Sequence, residues 1–105
     1  MAKIAWTGPA IGDLHQLHQF IARSSKQYAD ITVRRVRAAA ARLSAFPESR
    51  RPVPELPATR YREVLVGPYR VLYRYIQDKD QILTLAVVNG SRILPPIAPI
   101  APVAQ

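Results

Sequence analysis

Residues 60–88 read RYREVLVGPYRVLYRYIQDKDQILTLAVV, and this stretch decides the fold. RYREVLV (60–66), YRVLYRYI (69–76) and QILTLAVV (81–88) are rich in Val, Ile, Leu and Tyr. Gly67-Pro68 and Asp78-Lys79-Asp80 punctuate them as turns. Three short runs with such brief separators predict an antiparallel meander. The middle run alternates Tyr69, Val71, Tyr73 and Tyr75 against Arg70, Leu72, Arg74 and Ile76, the two-residue period of a strand. The last run is apolar on both faces, which predicts a central, covered position in the sheet.

Upstream, the period changes. Ile11, Leu14, Leu17 and either Phe20 or Ile21 recur at helical spacing, behind a Thr7-Gly8-Pro9 start in which the missing proline N–H costs nothing. Ser24-Ser25 interrupt the pattern. Ala29, Val33, Val36, Ala40 and Leu43 then define a second helix from about Gln27 to Phe46, ended by Pro47. Two amphipathic helices joined by a few residues imply an antiparallel hairpin. KIAWT (3–7) reads as a short strand with Trp6 in the core. PESRRPVPELPAT (47–59), with four prolines, reads as a stiff surface connector without regular structure. The predicted fold class is therefore α+β: an N-terminal strand, then an antiparallel helical hairpin packed on a three-stranded meander in a two-layer sandwich. The domain is expected over 1–94. Residues 95–105 form a proline-rich, charge-free tail, whose Ile97, Ile100 and Val103 repeat at the polyproline period.

Composition narrows the function. The 105 residues suit one domain, and the absence of cysteine excludes disulfides and thiolate metal sites. The start, MAKIAWTGPA, lacks the apolar run of a signal peptide, and no segment is long enough to span a bilayer. A cytoplasmic protein without membrane partners is expected. Eleven arginines and Lys26 face four carboxylates between Arg23 and Arg74, so the whole net charge of +8 resides there. Arginine in such excess over lysine suits bidentate recognition of carboxylate or phosphate. These features describe a protein that grips a macromolecule.

Four motifs stand in a specific order: Trp6 to Leu14 with Asp13, LSAFPESRRPVPEL (43–56), YREVLVGPYRVLYRY (61–75) and VVNGSR (87–92). Together they resemble the ParE/RelE superfamily, the toxin halves of bacterial type II toxin–antitoxin pairs. The resemblance runs from Ile4 to about Leu94 and implies a cognate antitoxin in a hetero-oligomer. RelE-like members are implied to be ribosome-dependent messenger endonucleases, a chemistry that needs groups to take and give protons and cations on the phosphate. ParE-like members are implied to bind DNA gyrase and trap it on cleaved DNA, which needs a shaped basic surface.

Arg70 and Arg92 match the superfamily's two sheet arginines, and Arg62 lies on the preceding strand, so these three are the expected target-binding residues. Position 89 is Asn where many members carry His, and beyond Arg92 the chain has no His, Tyr, Lys, Asp or Glu. No catalytic residue is assigned, and the ParE-like branch is favoured. A non-toxic nucleic-acid-binding module is a third reading. Arg70 either faces a target or pairs with Glu63 across the hairpin. Arg34, Arg35 and Arg37 on the second helix, with Arg50 and Arg51 in the connector, form a possible docking surface. His15 and His18 share the first helix without a third ligand, so they read as polar-face residues. No metal or cofactor is expected.

Overall fold

The computed structural model describes residues 1–56 and 59–90. Its elements are β1 (Lys3–Trp6), α1 (Gly8–Ala22), α2 (Lys26–Arg42), β2 (Arg51–Pro52), β3 (Arg62–Val66), β4 (Tyr69–Ile76) and β5 (Gln81–Asn89). The five strands form one sheet in the order β1-β5-β4-β3-β2. β1 runs parallel to β5 and the other pairs are antiparallel, so the expected meander β3–β4–β5 sits inside a mixed sheet. β5 lies between β1 and β4, as its two apolar faces require.

Local chemistry sets the boundaries. The Thr7 hydroxyl caps α1 by accepting from the Ala10 N–H, and the Ser25 hydroxyl caps α2 by accepting from that of Tyr28 at 3.0 Å. Helix α2 ends at Arg42, short of the expected Phe46. Beyond it Ser44 ties the chain to the N-terminus: its carbonyl accepts from Ala2 N–H at 3.0 Å, and its hydroxyl donates to the Ala2 carbonyl at 2.5 Å. Gly67 has φ 56°, a conformation costly for other residues, and makes the two-residue β3–β4 turn possible.

The helices pack on one face of the sheet. Leu14, Val36, Ala39 and Leu43 meet Val64, Val71, Tyr73, Ile82 and Val87 there, with Trp6, Tyr69 and Tyr75 at the margin. A register shift leaves Leu85 as an extra residue on β5, since Leu72 pairs with Ala86 and Tyr73 with Thr84. The bulge lets Ile82 and Val87, five residues apart, face the same core.

The connector departs from expectation. It contains the two-residue strand β2, paired to Arg62 and Glu63, and its Val53 packs with Tyr61, Leu72, Leu85 and Ala86 on the sheet face away from the helices. Pro52 is tolerated because β2 is an edge strand, where a missing N–H leaves no ladder bond unmade. The connector thus covers the second face of β4 and β5, giving the sandwich a partial back layer. Among the described residues no helix is long and apolar enough to cross a membrane. The proline-rich tail, 95–105, lies outside the described residues.

Candidate functional site

At the β2 end of the sheet the connector and the β3–β4 turn enclose a cleft of about 700 Å³, lined by residues that include Arg51, Glu55, Leu65, Tyr69 and Arg70. Arg70 occupies its floor. Its side chain is 6% exposed, and two carboxylates saturate it. Glu63, wholly buried, accepts from Nε at 2.7 Å and from Nη2 at 2.6 Å. Glu55, 38% exposed, meets the guanidinium end-on: Nη1 donates to Oε2 at 2.8 Å and Nη2 to Oε1 at 2.6 Å. Arg51 donates to the other oxygen of Glu63. Two arginines and two carboxylates therefore form a neutral network, with each buried charge paired as burial requires.

The electrostatics follow this geometry. The hydrogen bond from Arg70 holds the Glu55 carboxyl at about 2, well below its ordinary value. The Arg70 guanidinium is pushed up, chiefly by its bond to Glu55. Gly90 closes the side of the cleft. Its N–H donates to the Pro68 carbonyl at 2.6 Å, and a Cβ there would stand 3.0 Å from that oxygen and 3.4 Å from Arg70 Cγ. The glycine of the VVNGSR motif is thus what lets the end of β5 lie against the Arg70 stem.

Of the two roles the sequence leaves open to Arg70, the structure displays the pairing with Glu63 and adds Glu55. Nothing in the sequence singles out Glu55, because an acidic residue between prolines looks like solvated connector. Arg62 sits at the start of β3 and donates to the Arg50 carbonyl at 2.7 Å, away from the cleft floor. Arg92 lies outside the described residues. Arg34, Arg35 and Arg37 are exposed on α2, but Arg37 stacks over Trp6, with its guanidinium carbon 5.5 Å from the ring centroid. The Tyr73 hydroxyl, buried beside the Arg50 backbone, is raised above the ordinary phenol range by burial.

The helical layer holds one further ionisable pair and one carboxylate bound to backbone. His18 Nε2 lies 2.7 Å from Asp30 Oδ1, which ties α1 to α2 and lowers the Asp30 carboxyl. His15 is exposed, and no group of three potential metal ligands exists among the described residues. Asp13 on α1 accepts the backbone N–H of Val87 at 2.9 Å, and burial raises its carboxyl.

The sequence model of a family described as the ParE toxin of the type II toxin–antitoxin system parDE matches residues 4–94. No curated protein matches the chain in sequence. Among solved structures, the chromosomal ParDE toxin–antitoxin system of P. aeruginosa is similar with TM-score 0.69 and 19% identity, over 85% of this chain and 96% of that one. The RelBE2 toxin–antitoxin complex of Mycobacterium tuberculosis follows at 0.58 and 22%, over 84% and 96%. A mutant of E. coli toxin RelE in the free state gives 0.63 and 14%, over 87% and 86%.

Proposed function

The chain belongs to the ParE toxin family of type II toxin–antitoxin systems, and from that premise we propose that it arrests growth by binding DNA gyrase, held silent until then by a cognate antitoxin. One observation carries the preference for a binding poison over a nuclease. The arginine on the sheet floor is neutralised by two carboxylates, in a cleft whose described lining holds no histidine. Cleavage of RNA through its 2′-hydroxyl calls for a base and an acid at the bond and an uncompensated cation on the phosphate. A saturated network supports shape and partner recognition instead. The exposed arginines of α2, with Arg50 and Arg51, supply a basic surface suited to a macromolecular target. Arg62 and Arg92 are the proposed target-binding residues, and Arg70 joins them only if Glu55 is displaced.

The experiment is a pair of assays on the full chain. Loss of supercoiling and accumulation of cleaved DNA with purified gyrase, and undiminished cell-free translation, is the expected outcome. Translation arrest with unimpaired gyrase would replace this reading with a ribosome-dependent endonuclease. Salt-sensitive nucleic-acid binding without either effect would leave a non-toxic binding module.

A further inference from the structure

The two carboxylates on Arg70 are held differently. Glu63 is wholly buried and held from both sides by Arg51 and Arg70, so it is fixed structure. Glu55 comes from the connector, more than a third exposed at the mouth of the cleft, and takes only the outward edge of the guanidinium. That edge carries two parallel N–H donors, the geometry with which arginine recognises any free carboxylate. If Glu55 swings out, Arg51 and Arg70 face Glu63 alone. The floor then carries one net positive charge with two unpaired donors, and a buried arginine in that state demands an anion.

We propose that Glu55 is an internal stand-in for an external carboxylate, and that the cleft is a binding site for an acidic side chain of a protein partner, seated on Arg70 in place of Glu55. The walls favour a peptide over a nucleic acid. Leu65, 55% exposed, lines the cleft with Pro54 and Pro68, surfaces that suit apolar residues flanking the acid. The buried Glu63 remains beneath, so the vacated floor has the charge to accept one carboxylate and too little to hold a run of phosphates. The exchange breaks one bidentate ion pair and forms another, so neutrality is preserved. The proposal is independent of which macromolecule the protein arrests.

The test uses the isotope-labelled full chain and acetyl-Leu-Glu-Leu-amide, with acetyl-Leu-Gln-Leu-amide and trithymidylate as comparisons. The readouts are the Nε–Hε resonance of Arg70 and the amide resonances of the β3–β4 turn. The glutamate peptide is expected to shift them in the parent. Its affinity should rise at least tenfold in Glu55→Gln, which removes the competitor's charge, and to a smaller degree in Glu55→Asp, whose carboxylate stands one methylene short of the guanidinium edge. The glutamine peptide should shift neither protein. Equal affinity in parent and variants, or equal binding of the two peptides, overturns the proposal. Stronger binding of trithymidylate at the same resonances would make it a phosphate site and also overturn it. Should the variants fail to fold, the parent decides: an Arg70 resonance unmoved at saturating glutamate peptide is sufficient refutation.

Discussion

Asp13 and Val87 lie 74 residues apart in sequence, yet the carboxylate of the first accepts the backbone N–H of the second at 2.9 Å. The reason lies in the sheet. β1 pairs with β5 only from Gln81 to Thr84, because Trp6 ends the strand and the chain turns into α1. Past Thr84, β5 loses its partner on that edge. The first turns of α1 then pass close enough for Asp13 to supply the missing acceptor, as buried backbone N–H groups require.

Asp13→Ala is therefore expected to destabilise by about 1–3 kcal/mol, the cost of stranding a buried N–H. Asp13→Asn should cost much less, since the amide oxygen can still accept. Because burial raises the Asp13 carboxyl, its ionisation opposes folding as pH rises above 3.8, and the neutral amide escapes that penalty. Urea denaturation of both variants at pH 7 checks this. Equal losses would show that charge, not acceptance, is what β5 needs.

Glu55 gives the opposite sign. Its carboxyl falls from 4.5 to about 2 on folding, so the unfolded chain takes up the proton first as the solution is acidified. The stabilisation is complete above pH 4.5 and fades as pH drops toward 2. With over a third of the Glu55 side chain exposed, solvent screening keeps the loss below about 1 kcal/mol. Comparing denaturation midpoints at pH 6 and pH 3 should show a smaller acid loss in Glu55→Gln than in the parent.

Gly67, in the β3–β4 turn, and Gly90, just past β5, separate strain from crowding. Gly67 has φ 56° with open space around it, so Gly67→Ala should cost about 1 kcal/mol from backbone conformation alone. Gly90→Ala instead drives a methyl against a backbone carbonyl and the Arg70 stem, an overpacking cost of about 1–3 kcal/mol. Only the second should also move the Arg70 Nε–Hε resonance. If both leave that signal unmoved, Gly90 does not position Arg70.

The meander and the helical hairpin were legible because strand and helix periods are written in consecutive residues such as Tyr69, Val71, Tyr73 and Ala29, Val33, Val36. The Arg70–Glu63 pair was legible as one of the two roles open to Arg70, since the two residues are neighbours across a two-residue hairpin. Glu55 was not, because its partner lies 15 residues away across a connector whose path no local rule fixes. The strand Arg51–Pro52 was hidden for a related reason. Proline argues against a strand in general, and only the edge position, a property of the assembled sheet, removes the objection. The parallel pairing of β1 with β5 depends likewise on contacts across almost the whole chain.

The α2 arginines allow a direct test of the basic surface. Arg34 and Arg35 are exposed, and among the described residues no contact holds either in the fold beyond the attraction of Arg34 for Asp30. Arg37 lies over Trp6, an interaction worth about 0.5–1 kcal/mol at an exposed site. Arg37→Ala should lower stability by that amount, whereas Arg34→Ala combined with Arg35→Ala should leave it within about 0.5 kcal/mol of the parent. The double variant should nevertheless lose affinity for gyrase, and its binding should depend less steeply on salt, because charge on this face works by steering and long-range attraction. Thermal melts and titrations at two salt concentrations give both numbers. A double variant that melts normally and still inhibits gyrase like the parent would move the docking surface away from α2, toward Arg50, Arg51 and Arg62 at the β2–β3 edge.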